Sequence, residues 1–149
     1  MYSRFLVSHR GHQNPYEVAG DFMLRLFTGM TLAFAHGVGK LPPSEGFVNA
    51  VGDLGFPQPY FFAWSAGLAE FIGGWLLALG FLTRPAAAFI AFTMIVAAFG
   101  RHADDPFGRK ELALLYLFVA LHYLFSGAGK LSLDAVADSR FRSSNPGTK

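Results

Sequence analysis

The chain has 149 residues, 52% of them hydrophobic and only 15% charged, with a formal charge of +2 and no cysteine. A soluble domain carries roughly 25% charged residues, and a nucleic-acid-binding one clusters its basic residues, so composition argues against both classes. The missing cysteine excludes disulfides, thiolate metal sites and any thiol–disulfide relay carried by this chain alone.

Residues 1–18 form a polar N-terminal segment without the continuous apolar core of a signal peptide, so the first membrane helix is expected to direct insertion. That helix is expected at about 19–39. Next comes a connection carrying PP, DLG and PQP turn signals, in which Phe47, Val48, Val51 and Leu54 recur at helical spacing and predict a short interfacial helix. A second span is expected at about 60–82. Thr83 and Arg84 then make a tight turn into a third span at 85–102, with Pro85 in its first turn. The polar loop RHADDPFGRK leads to a fourth span at about 111–130. The tail at 135–149 is polar and expected to be unstructured from Asp138 onward. The fold class is therefore an all-α membrane protein: one antiparallel bundle of four transmembrane helices over 19–134, with a short interfacial helix between the first two. Four crossings put both termini on one side, and the positive-inside rule makes that side cytoplasmic.

Ionisable residues stand inside three of these spans. Arg25, Gly29, Ala33, His36 and Lys40 follow one stripe of the first helix, and Ala63, Gly67, Glu70, Gly74 and Ala78 follow one stripe of the second. Small residues at that spacing let membrane helices approach closely. In the fourth span Glu111 and His122 lie about three turns apart. Counting 1.5 Å per residue from the terminal side puts Arg25, Glu70 and His122 at roughly 9, 15 and 13 Å, which predicts a midplane cluster with an Arg25–Glu70 pair. His36 and His102 fall at roughly 25 Å, with Lys40 and Glu111 just above, forming a second polar layer.

Charges at such depth cost several kcal/mol, with estimates from about 2.5 upward, and they usually face a bundle interior and carry function. The alternative is a structural ion pair that locks the first two helices. His122 is a proton relay or hydrogen-bond donor near a carboxylate, or a satisfied core histidine. His36, His102 and Glu111 are the weaker candidates for a metal set; two interfacial histidines are the simpler account. The phenylalanines, among them Phe61, Phe62, Phe89 and Phe92, either face lipid or line a quinone or lipid pocket.

The segments RLFTGMTLAFAHGVGKL at 25–41, LGFPQPYFFAWSAGLAEFIGGWLLALGFLTR at 54–84 and YLFSGAGKLSLD at 123–134 resemble the DoxX family of small four-helix bacterial membrane proteins. The resemblance covers roughly 22–134. It implies location in the bacterial inner membrane and association with membrane oxidoreductase activity, including quinone-coupled chemistry. On that basis the first candidate function is a subunit of a membrane oxidoreductase that binds quinone or a similar amphiphile. Arg25, Glu70 and His122 would form its inner site, with Glu70 and His122 passing protons and His36 and Lys40 at the entrance. The chain offers no flavin, iron–sulfur or c-type haem signature, so a redox partner protein would supply the electrons. A non-enzymatic scaffold or assembly partner is the second candidate. A small-solute transporter, which would need a homo-oligomer, is the third.

Overall fold

The computed structural model describes residues 14–144, with side chains to 141, and every element in it is helical. Helix α1 spans Pro15–Thr31. Its N-cap is Asn14, whose Oδ1 accepts from the N–H groups of Tyr16 and Glu17 at 2.8 and 3.1 Å, with Pro15 at the first helical position. The chain continues without a break through a π-helical segment, Leu32–Gly37, and a 3₁₀ turn, Val38–Lys40. Helix α2, Glu45–Asp53, is capped by Ser44 Oγ accepting from Phe47 N–H at 3.2 Å. Helix α3 spans Pro59–Leu79, α4 spans Thr83–Ile95 and runs on into a second π-helical segment, Val96–Arg101, α5 spans Phe107–Ser126, and α6 spans Leu133–Ser144.

Three of these helices, Pro15–Lys40, Pro59–Leu79 and Thr83–Arg101, are long and apolar enough to cross a membrane. Helix α5 has comparable length at 20 residues, but Arg109, Lys110 and Glu111 stand in its opening turns. Large apolar side chains on all four face outward, including Phe27, Phe89, Phe118 and Phe125, between 67% and 75% exposed. In water such a surface would be an aggregation hazard; in a bilayer it is solvated.

The α1–α3 pair is antiparallel and very close. A Cβ on Gly29 would overlap the Gly74 carbonyl and the Ala78 backbone, and one on Gly37 would overlap the backbone of Phe71. Only glycine permits these approaches, which is the packing that small-residue stripes allow. Helix α4 lies against both α3 and α5. Leu32, Leu77, Ile90, Met94, Leu117 and Tyr123 meet in the apolar core.

Several expected boundaries shift. The second span ends at Leu79, because Gly80 adopts φ +66° and the N–H of Phe81 returns to Leu76 O at 2.9 Å. The turn is therefore 80–82, and Thr83 is already helical. The fourth long helix ends at Ser126 rather than near 130, since Gly127 and Gly129 take φ values of +76° and +74°. The tail expected to be unstructured from Asp138 is helical to Ser144, started by Ser132, whose Oγ accepts from Ala135 N–H at 3.1 Å. Of the polar segment at 1–18, residues 1–13 lie outside the described range, and 15–18 belong to α1.

Candidate functional site

The charged residues of the bundle fall into two groups, and they are not the two layers expected from axial counting. The first group closes the end at which α3 turns into α4. Arg25, 1% exposed, donates from Nη1 to Leu77 O at 3.2 Å and from Nη2 to Leu131 O. Asp134, 6% exposed, accepts from the N–H groups of Leu82 and Thr83 at 2.9 and 3.1 Å, and its own N–H donates to Gly80 O at 2.8 Å. A carboxylate on the first amides of α4 satisfies orphan donors and complements the positive helix end. It also holds Leu82 at φ +46°, a left-handed conformation that a leucine rarely adopts. Tyr123 Oη donates to Asp21 O at 2.7 Å, and His122 Nε2 lies 3.4 Å from Asp21 Oδ1. This group ties the C-terminal turn to α1 and to the α3–α4 hairpin.

The second group lies toward the other end. Lys40 Nζ donates to both Oε1 and Oε2 of Glu70 at 2.6 Å. The Glu70 side chain is 2% exposed and that of Lys40 33%. Among the described residues Lys40 is the only hydrogen-bond partner of this carboxylate. The Phe47 ring of α2 lies beneath the ammonium, 5.6 Å from Nζ to its centroid.

The expected Arg25–Glu70 pair is thus absent: Arg25 sits beside Leu77, seven residues or roughly 10 Å along α3 from Glu70, beyond its reach. Lys40 lies level with Gly67, where an added Cβ would stand 3.2 Å from Lys40 O, so Glu70 is one turn away. A four-carbon stem spans that gap. His122 is with Asp21, and His36 makes an edge contact with Tyr116 at 5.5 Å. His102 Nδ1 is 2.7 Å from Asp105 Oδ2, and Glu111 is exposed on α5. Among the described residues no three His, Asp or Glu side chains are placed to hold a metal ion, and His36, His102 and Glu111 do not meet.

Beside Lys40 opens a cavity of about 470 Å³. Phe47, Val51 and Leu54 of α2 form one wall; Phe61, Phe62, Ala66 and Ala69 of α3 a second; Phe89, Phe92, Val96 and Ala97 of α4 and its π-helical extension a third. Phe61 and Phe89 are 60% and 68% exposed while lining it, so the cavity opens sideways between α3 and α4. Its hydroxyls are spent locally: Ser65 Oγ donates to Phe61 O and Thr93 Oγ1 to Phe89 O, at 2.8 and 3.0 Å. The remaining polar lining is Lys40, Arg101 and His102. Helices α1 and α4 both run antiparallel to α3, so these residues gather at one end. One π-helical segment ends at Gly37 and leads through the 3₁₀ turn to Lys40, and the other ends at Arg101 itself. Such segments are rare and concentrate at functional sites.

Asp134, Asp21, Ser132 and the cavity roles of Arg101 and His102 escaped the sequence reading. The spaced run Gly127, Gly129, Ser132, Asp134 was the available signal, since two glycines with positive φ feed a capping serine and a buried carboxylate.

Long apolar helices that bury charge between them and phenylalanine outside make this an integral, multi-pass helical membrane protein. The DoxX family profile matches residues 20–103, more than half of the chain, and the protein belongs to that family. It is 34% identical over 116 residues to the Bacillus subtilis protein named "Putative oxidoreductase CatD", covering 77% of this chain and 84% of that one. It is 32% identical over 109 residues to the Escherichia coli "Inner membrane protein YphA", covering 66% and 76%. A Haemophilus influenzae "Uncharacterized protein" is 41% identical over 76 residues, 46% of this chain and 57% of that one. No solved structure matches the chain at comparable significance.

Proposed function

We propose that this protein is an inner-membrane subunit of an oxidoreductase system that holds quinone or a similar amphiphile in the cavity between α2, α3 and α4. The observation that carries the reading is the cavity itself. About 470 Å³ of apolar space falls within the range of small-molecule sites, and convergent polar groups at one end are what such sites use for orientation. Its sideways opening gives a membrane-dissolved ligand a route from the lipid. The name of the B. subtilis relative supports the oxidoreductase context. In this proposal α5 is the fourth crossing, α2 lies in the interface, and the termini are cytoplasmic.

A quinone would supply two-electron carrier chemistry; a chain without cysteine holds no thiolate-ligated iron–sulfur cluster, and in this proposal a partner protein supplies the electrons. The chain's own residues would bind and orient. Lys40 has a third N–H beyond the two that Glu70 accepts, and Glu70 holds the ammonium at the cavity wall. Phe61, Phe89 and Phe92 would flank the apolar part. Arg25 and His122 serve the bundle's closure instead, because their partners are the C-terminal turn and Asp21.

The test is the melting temperature of the protein in nanodiscs, titrated with decylubiquinone. A ligand at 100 times its Kd stabilises by about 2.7 kcal/mol, well above detection. Stabilisation is expected in the parent and is lost in Ala66→Leu, which fills the cavity. A parent melting temperature unmoved by quinone would remove the basis of the proposal and leave the scaffold reading in its place.

A further inference from the structure

We propose that the polar end of this cavity recognises an acidic head group, so that its preferred occupant is a single-chain amphiphile carrying a carboxylate or a similarly ionised oxygen acid. The inference rests on the reading that the cavity holds an amphiphile, and it adds the charge of the head.

The lining contains three basic side chains, Lys40, Arg101 and His102, and no carboxylate. The two acids nearest in bonding terms stand outside it. Glu70 lies behind Lys40 and does not line the space. Asp105 is engaged by His102 and, at 3.4 Å, by Arg109. Glu70 offsets Lys40 directly, whereas Asp105 faces His102 and only its longer-range charge reaches Arg101; among the described residues no carboxylate stands within hydrogen-bond distance of the Arg101 guanidinium. The remaining elements contribute no compensating acid: Glu45 and Asp53 of α2 and Glu111 of α5 are absent from the lining.

The Arg101 guanidinium and the Lys40 ammonium both border the same greasy slot, and an ionised oxygen acid is the head group that each cation favours. The guanidinium can grip two oxygens at once, and Lys40 keeps one donor that Glu70 does not take. A neutral alcohol accepts from the same cations but offers one oxygen and no opposite charge, so it forgoes both the two-oxygen grip on the guanidinium and the ionic attraction. The tail would lie along Phe89 and Phe92, which stand about two to three turns along α4 from Arg101, so head and tail favour different parts of the same cavity.

The experiment compares oleate with oleyl alcohol, two probes sharing one tail, on the full chain in zwitterionic nanodiscs. Bound ligand is counted by native mass spectrometry, and affinity follows from titration. Oleate is expected to bind at least tenfold more tightly than the alcohol at low salt, the difference narrowing as salt rises. Arg101→Gln, a change at an exposed position, should reduce the preference about threefold. Lys40→Met/Glu70→Leu, which leaves no buried charge unpaired, should reduce it by a similar factor. Nanodiscs rich in phosphatidylglycerol form a separate arm: if they abolish oleate binding in the parent but not in Arg101→Gln, the acidic head is supplied by phospholipid. Equal affinity for oleate and oleyl alcohol would overturn the acidic-head assignment while leaving the amphiphile site intact. Failure of oleate, oleyl alcohol and decylubiquinone alike would overturn the site reading itself.

Discussion

Replacing Asp134 by alanine removes the carboxylate that caps α4, and the cost can be worked from its bonds. The two backbone donors, Leu82 and Thr83, lie at 2.9 and 3.1 Å, and the Thr83 bond is fully buried. A hydrogen bond to a charged group contributes about 1.5–3 kcal/mol, so losing two costs at least about 3 kcal/mol. Arg25 loses a neighbouring anion as well, and Leu82 loses the contact that holds its positive φ. Asp134→Asn retains one acceptor and should lose about half as much. The assay is reversible unfolding in mixed micelles by titration with a denaturing detergent, with helicity as the readout. A loss below about 1 kcal/mol for Asp134→Ala would refute the reasoning, because it would mean that water or neighbouring groups satisfy those amides equally well.

Two other expectations follow from single contacts. Gly29→Val should overpack the α1–α3 contact, where its Cβ meets the Gly74 carbonyl, and lose about 1–3 kcal/mol or more, whereas Gly20→Ala, which faces open space, should be tolerated; folded yield by fluorescence-detected size exclusion compares them. Outside the spans, the hydrogen bond from His102 holds the Asp105 carboxyl below the usual carboxylate range, with smaller help from the charges of Arg109, His102 and Arg101. Because the folded value is depressed, this contact contributes fully above the ordinary carboxylate range and fades as pH falls through the folded value. In His102→Ala, carbon-detected NMR should show the Asp105 titration moving up toward that range; an unchanged midpoint would dismiss the contact.

Periodicity revealed which faces turn inward, because a helix places residues three and four apart on one stripe whatever it packs against. Arg25 and Glu70, each 1% exposed, and the contact between Gly29 and Gly74 lie on the two stripes picked out that way. Partners were harder to read. Axial counting treats each side chain as lying level with its Cα, which put Lys40 in a different layer from Glu70 and Arg25 in the same one. The real register sets Gly29 against Gly74, and side-chain reach decides the rest. Asp134 was invisible for another reason: its partners lie about fifty residues earlier, and no local pattern links a short capping turn to a distant hairpin. The cavity depends on how α2 crosses α3 and α4, which the α2 sequence alone does not specify.

The closure at Arg25 and Asp134 also orders how the protein can be made. Residues 131–134 leave the ribosome about fifty residues after the turn they complete, when α1, α3 and α4 have already been synthesised. Until then the Arg25 guanidinium lacks its bond to Leu131 O, and the first amides of α4 have no carboxylate. Until that turn is made, the α3–α4 hairpin lacks contacts that complete it in the finished fold. A chain stopped short of residue 131 would leave the Arg25 guanidinium with the Leu77 carbonyl but without that of Leu131, an under-bonded cation in the bundle interior.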